Sequence, residues 1–520
     1  MPSTHVAREK PLVRSLRVVF SARIVVAAWL LVLWSSPRLS ASEKAANRNR
    51  SIRVIFNQDA SEFFVGTFGP ITQKTIDDYV DSLARGSVSD LFINVNYQRA
   101  NYRSQVWEAD WDGYDPSAGD DQLFFAGIAP ERAFERAWIK NALLLHRQGV
   151  DYGKRMLDGC RRNGLNGWIS LRMNDSHYPN QPTHPFHSSF WRKHPEWHIT
   201  SKSLDYARSE VREHYLALVQ EVLRRYDMHG LELDFMRHGY YFREGQEHEG
   251  AALMTSFVRE VHRETQAAAT RWKHPIELAV RVPTRPWTAR RRGLDAEVWA
   301  KDQLVDLVVL APWWSSTQSD VPVETWKGLL RSTQTQLAVC LEDGIDSGAG
   351  KRRTLTDAEA RGIALSALDR GADAIYLFNF FTGPFQWANG AYATFLKDVG
   401  SLSTLRMKPR AHPVTLQDPW AEGEPGPSKL LPATGRRQVF RIHSGPQPAP
   451  GQTVAIQVET HDGSRPQKVS LNGLACAWAA ESERKQVYQV PRKAVSEGYN
   501  LVQLEGDRSI EIVWIELRVE

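Results

Sequence analysis

Between residues 50 and 400, short apolar runs alternate with longer stretches whose apolar positions recur at helical spacing. The short runs are Ile52 to Phe56, Asp90 to Asn96, Gly167 to Met173, Gly230 to Arg237, Ile276 to Pro283, Val305 to Trp314, Gln336 to Asp343 and Ala372 to Phe380. Each is long enough for a strand and too short for a helix. Helices are expected between them, over Lys74 to Arg85, over 151–162 and over 208–226. In the last of these Val211, Tyr215, Leu218, Val219 and Val222 fall on one face. Regular alternation of strand and helix predicts a parallel sheet, and eight such units over roughly 350 residues predict an α/β chain folded as a (β/α)8 barrel across 50–405. Two long excursions follow the second and third strands, one running to about Arg147 and the other over 174–204. They therefore belong at the C-terminal mouth, where such barrels carry their chemistry.

After residue 405 the pattern changes. Six prolines and no periodicity mark 406–435 as a linker or a strap against the barrel. Short β-rich runs then predict a small jelly-roll-like β-sandwich over 436–520.

Strand side chains alternate, so parity assigns faces. In Gly230 to Arg237, Leu231, Leu233 and Phe235 face the helices, whereas Glu232, Asp234 and Met236 face the barrel interior. The same rule turns Ala338, Cys340 and Glu342 inward on the seventh strand, and it groups Asn94 with Asn96, Ser170 with Arg172, and Ala279 with Arg281. A polar crown of Asn96, Arg172, Asp234, Arg281 and Glu342 results. On the eighth strand, parity leaves open whether Asn379 or the Tyr376/Phe378 set points inward.

Buried acids are costly unless paired or used. Two carboxyl groups on different strands suit glycoside hydrolysis, in which one is a protonated acid and the other a base or nucleophile. Asp234 and Glu342 are the leading catalytic pair. Glu232, one layer deeper, is the third catalytic candidate, against a bland reading as buried ion-pair partner of Arg172 or Arg281. Substrate contacts are expected from Asn96, Arg172, Asp175, His177, Arg237, Arg281, Trp313, Trp314 and Asn379. Trp191 and Trp197 in the third loop offer further flat faces for sugar rings, against ordinary packing.

Charge, cysteine and motif content narrow the field. The formal charge of +5 is accounted for by residues 1–41, where Arg8, Lys10, Arg14, Arg17, Arg23 and Arg38 face only Glu9. The remainder is formally neutral, which removes the electrostatic case for a nucleic-acid partner. That basic start precedes the apolar run Ile24 to Trp34 and the small residues Ser40-Ala41-Ser42. The pattern predicts a signal peptide over 1–41 and export to the periplasm or beyond, with the membrane a partner only if the segment stays uncleaved. Cys160, Cys340 and Cys476 form no CxxC pair and are expected as free thiols. The histidines between His177 and His198 lack a metal-binding spacing and are expected to line the cleft. No dinucleotide fingerprint, phosphate loop or nucleophile elbow occurs, so no cofactor and no metal is expected.

The segments Phe190 to Trp197, Leu204-Asp205-Tyr206-Ala207, Glu210-Val211-Arg212 and Gly230 to Arg237 together resemble the bacterial glycosyl hydrolase-like 10 family. The resemblance covers about residues 50–400. It implies a TIM barrel with a carbohydrate-active role, and departs from the family at His229, where an acidic residue is common. Val490-Pro491-Arg492 to Asn500-Leu501-Val502 is similar to a galactose-binding-like jelly roll. The combined expectation is an exported glycoside hydrolase acting on a poly- or oligosaccharide. The alternative is a glycan-binding protein without catalysis on a retained barrel, and a lyase or deacetylase is a minor third.

Overall fold

The computed structural model describes residues 52–65, 71–200, 202–312, 316–347, 352–380, 391–417, 430–482 and 485–520. The expected signal segment, Trp313 and Trp314 lie outside the described residues.

Eight parallel strands close into a barrel: β1 (Arg53–Gln58), β2 (Asp90–Asn94), β3 (Asn166–Arg172), β4 (Gly230–Asp234), β5 (Glu277–Pro283), β6 (Leu307–Ala311), β7 (Gln336–Glu342) and β8 (Ala374–Phe378). Each pairs with its neighbours in sequence, and β8 closes on β1. Helices cover the outside, where Leu231, Leu233, Val280 and Leu341 join the large core. The helix Tyr152–Asn163 shows how local sequence sets such boundaries. Asp151 accepts from the Lys154 amide at 3.0 Å, and Gly164 ends the helix in the left-handed region at φ +69°.

The barrel interior is a separate cluster containing Ile55, Phe92, Trp168, Val309, Cys340 and Tyr376. Trp168 fills its lower end, stacked on Phe92 at 4.5 Å. A Cβ on Gly230 would collide with the Trp168 ring, so glycine at the start of β4 is what admits it. Burying a Trp contributes on the order of 5 kcal/mol, which outweighs the roughly 1 kcal/mol a strand glycine costs. Below the ring, Arg53 bonds Asp90 at 2.8 Å, Glu277 at 3.3 Å and Gln336 at 2.7 Å, while the Trp168 indole N–H donates to Asp90 at 3.0 Å. The base is closed by charge and ring together.

Two features went beyond the sequence pattern. The excursion after β2 contains a helix, Ala133–Arg147, whose buried Glu135 bonds His184 at 2.9 Å in the loop after β3. In the stretch expected as a linker, Arg410–Pro413 is a strand of the C-terminal sheet, and Thr415, Leu416 and Gln417 do form a strap across the mouth. They bond Ser319 (2.9 Å), Asp346 (3.2 Å) and Arg285 (2.7 Å), which follow β6, β7 and β5. The C-terminal domain is an antiparallel β-structure with its own core. Its long strand Tyr499–Val519 pairs with Arg410–Pro413, Ala433–His443, Val454–Thr460 and Lys468–Leu471. Asp320 joins the two parts, receiving Arg370 from the barrel and Arg441 and Tyr499 from the β-domain.

The helix Asp357–Asp369 lies so close to Arg410–Pro413 that a Cβ at Gly362 would strike the Ala411 carbonyl oxygen. Backbone cannot rotate aside as a side chain does. Gly362→Ala is expected to lower the unfolding free energy by about 3 kcal/mol, the upper end for overpacking, and chemical denaturation measures it.

Candidate active site

Asp234 ends β4, Arg281 sits on β5 and Glu342 ends β7, all at the C-terminal mouth. Arg281 occupies the centre. Its Nη1 donates to Asp234 Oδ1 and Oδ2 at 3.1 and 3.2 Å, and its Nη2 donates to Glu342 Oε1 at 3.3 Å. Its guanidinium carbon lies 3.8 Å from the centre of the Phe378 ring. Asp234 also accepts from the Met236 amide at 2.8 Å. Glu342 accepts from Asn379 Nδ2 at 3.0 Å, and Thr317 pins its main chain with two bonds. The open parity of β8 resolves in favour of both sets. Tyr376 and Phe378 point into the barrel, while Asn379, just past the strand at φ +59°, turns back to reach Glu342. That left-handed conformation is one asparagine adopts more readily than most residues.

These three groups have unlike electrostatics. Burial pulls the Arg281 guanidinium down, but Asp234 and its other neighbours hold its pKa well above the ordinary value. Burial pushes the Glu342 carboxyl up to about 7 against the charge of Arg281, with Asp343 adding to the rise. Arg281 commits two contacts to Asp234 and one to Glu342. One guanidinium thus touches an aspartate held by the closer pairing and a glutamic acid that keeps its proton to neutrality.

Glu232 lies one layer down and is fully buried. It is not an ion-pair partner of Arg172 or Arg281. Its Oε2 instead takes neutral donors, Ser170 Oγ at 2.5 Å and Tyr376 Oη at 3.0 Å, and Asn57 donates to that tyrosine at 2.7 Å. Burial and then the charge of Asp234 push its pKa well above the carboxylate range. Arg281 makes its hydrogen bonds to Asp234 and Glu342, so its charge lowers the Glu232 pKa only without contact and does not overcome burial and Asp234.

Arg172 belongs to a second group. It bonds Asp59 at 2.6 Å and Asp175 at 3.3 Å, and Arg237 approaches Asp59 at 3.6 Å. Asp59 was not singled out in the sequence, although it continues the inward parity of Ile55 and Asn57. Asn96 is not poised for a ligand. Its amide group bonds the Arg172 backbone through both ends, at 3.0 Å each, and ties the end of β2 to β3. Among the loop histidines, His184 and His187 are fully buried clamps rather than cleft lining. His187 stacks on Trp191 at 3.9 Å, and Trp197 stacks on His194 at 3.6 Å, so these two indoles pack within the loop.

Among the described residues, Asp175, His177 and His238 bring ligand-type atoms within 4.8 Å of one another. Their hydrogen bonding does not suit a cation. His238 Nδ1 accepts from the Ser176 amide at 3.1 Å, so the neutral ring carries its proton on Nε2, the nitrogen a metal would need. His177 Nδ1 faces Asp175 Oδ1 at 2.5 Å, and Arg172 already lies against that carboxylate. Burial raises the Asp175 pKa, but His177 and its cationic neighbours hold it well below the usual value. The set is an ion-paired carboxylate that orients a histidine.

For Glu232 and Glu342 the folded pKa exceeds the unfolded one. Between the usual 4.5 and the folded value the native state keeps a proton that the unfolded chain has lost, so each group's contribution falls as pH rises through that window. Glu232→Gln is therefore expected to gain stability over wild type at pH 8 and to gain none at pH 4. Denaturant titrations at the two pH values measure this.

No family model matches the chain, and no curated protein matches it. Among solved structures it is similar to a GH29 α-L-fucosidase from Bacteroides thetaiotaomicron, with 11% identity, 90% of this chain and 95% of that chain covered, and a TM-score of 0.36. It is also similar to the glycoside hydrolase domain of PgaB (BpsB) from Bordetella bronchiseptica, with 10% identity, 68% and 99% covered, and a TM-score of 0.41. A third is α-L-fucosidase isoenzyme 1 from Paenibacillus thiaminolyticus, with 11% identity, 88% and 97% covered, and a TM-score of 0.34.

Proposed function

We propose that the chain is an exported glycoside hydrolase, of the kind the glycosyl hydrolase-like 10 resemblance implies, in which Asp234 and Glu342 act across the scissile bond. The observation that carries this is Arg281, hydrogen-bonded to both carboxyl groups at the mouth of the barrel. Glu342, pushed up to about 7, holds a proton that a departing glycosidic oxygen needs. Asp234, beside the guanidinium and the Met236 amide, is the anion that stabilises positive charge at the anomeric carbon or activates its attacker. Asn379 fixes the Glu342 carboxyl, and Thr317 fixes its backbone. Both carboxyls are nearly inaccessible, at 1% and 0% exposure, a dry setting in which Arg281 acts more strongly than it would in water. Glu232 has a supporting role here. Kept neutral, it adds no negative charge next to Asp234.

One observation favours the glycan-binding alternative: the same guanidinium neutralises acids that would otherwise demand a use. Turnover separates the two. On a panel of polysaccharides assayed for new reducing ends, wild type is expected to release ends from at least one, and Asp234→Asn and Glu342→Gln are expected to lose about 100-fold or more of that rate. Full turnover by both variants would overturn the assignment, and saturable binding without release by wild type would support the glycan-binding reading. The alkaline limb of the wild-type rate is expected near pH 7, as Glu342 loses its proton.

A further inference from the structure

Glu342 ends β7, and the chain beyond it forms a short hairpin in which Gly344–Ile345 pairs with Arg353–Thr354. The hairpin brings Arg352 back beside the residue that follows the acid. Arg352 Nη2 donates to Asp343 Oδ1 at 2.6 Å, and its guanidinium lies over Gly344, where a Cβ would meet it. The Asp343 side chain is 2% exposed and that of Arg352 42%, so a buried carboxylate is met by a cation from the surface. Both ends of this contact are anchored. The Asp343 carbonyl accepts from the Leu355 amide at 2.7 Å, and the Gly344 carbonyl accepts from the amide of Thr317, the residue that also pins Glu342, at 2.7 Å. Arg353, next to Arg352, donates to Glu359 at 2.9 Å, and its guanidinium carbon lies 4.4 Å from the centre of the Trp514 ring.

The Glu342 proton is balanced between opposing influences. Burial favours the neutral acid and the charge of Asp343 adds to it, while Arg281 on β5, Arg237 after β4 and the hydrogen bond from Asn379 after β8 favour the anion. The Cys340 thiol, two residues back on the same strand, is pushed up by burial and stays neutral. A carboxylate in contact with a guanidinium projects less negative charge onto its neighbours than the same carboxylate alone. We propose that Arg352 is a positioning residue for the acid: through Asp343 it offsets the negative charge beside Glu342, and so sets the pH at which that acid gives up its proton. The inference deepens the glycosidase reading and rests on it for the role of Glu342 as proton donor. With Arg352 in place the proton is released nearer neutrality. Without it, Asp343 acts at full strength and the acid stays protonated to higher pH.

The test is an infrared pH titration of the protonated-carboxyl band, reading in each background the component that Glu342→Gln removes. In the wild type that component is lost near pH 7. Arg352→Ala is expected to raise its midpoint by about half a pH unit, and Arg352→Lys to restore it. Asp343→Asn is expected to lower the midpoint by about one pH unit, and adding Arg352→Ala to that variant is expected to move it no further. Arg437→Ala, at an exposed site on the β-domain, removes one positive charge elsewhere and is expected to change nothing. If Arg352→Ala does not fold, Arg352→Gln keeps a donor for Asp343 without the charge and carries the same expectation. A midpoint unmoved by loss of the Arg352 charge, or an equal shift with and without the Asp343 carboxylate, would overturn the proposal. In turnover, the alkaline limb of the rate is expected to follow the infrared midpoint from variant to variant. Infrared shifts as expected, with no turnover on any polysaccharide, would leave the pairing standing and count against the hydrolase.

Discussion

The structure at the barrel mouth depends on how one guanidinium, Arg281, distributes its hydrogen bonds. Arg281 is the guanidinium that contacts two of the three inward acids, while burial raises the pKa of both Glu232 and Glu342. Asp234 has two oxygens within 3.2 Å of one Nη. Glu342 has one contact at 3.3 Å, and Glu232 has none. In a buried setting such differences in contact act more strongly than they would in water. The neighbouring residues reinforce the division. Ser170 and Tyr376 donate to Glu232 as neutral groups, and Arg172 is occupied by Asp59 and Asp175, so it cannot serve a second pair.

Keeping such a centre in place requires stiffness below and beside it. Trp168, admitted by Gly230 and ringed by Arg53, Asp90, Glu277 and Gln336, closes the base of the barrel. At the top, Thr317 fixes the main chain of Glu342, while Thr415 to Gln417 tie the loops after β5, β6 and β7 to one another. The β-domain takes part through that strap and through the close packing of Gly362 on Ala411. The strap's hydrogen bonds fall on Arg285, Ser319 and Asp346, in the segments that follow β5, β6 and β7.

Period-two alternation was enough to read the eight strands and the inward placing of Asp234, Arg281 and Glu342, because burial on both faces leaves few ways to place acids. Hydrogen-bond partnership was not legible. Asn96 and Arg172 looked like free polar groups, and only their three-dimensional neighbours show one bound to backbone and the other to two aspartates. Asp59 was within reach of the parity rule, since it follows Ile55 and Asn57, but it lies past the end of its strand. Asn379 escaped assignment because a left-handed residue breaks alternation. The ion-pair reading weighed for Glu232 fails because the sequence shows how many arginines there are but not how they are already engaged.

The most direct measurement is an infrared pH titration of the protonated-carboxyl band, with wild type beside Glu342→Gln. Arg281 sharing itself unequally predicts that the wild-type-minus-variant difference contains a protonated-carboxyl component lost with a midpoint near pH 7, whereas the Glu232 and Asp110 components are common to both proteins. A Glu342 that titrates near the ordinary 4.5 would mean that the guanidinium ionises both acids alike, and it would contradict the division of roles on which the site rests.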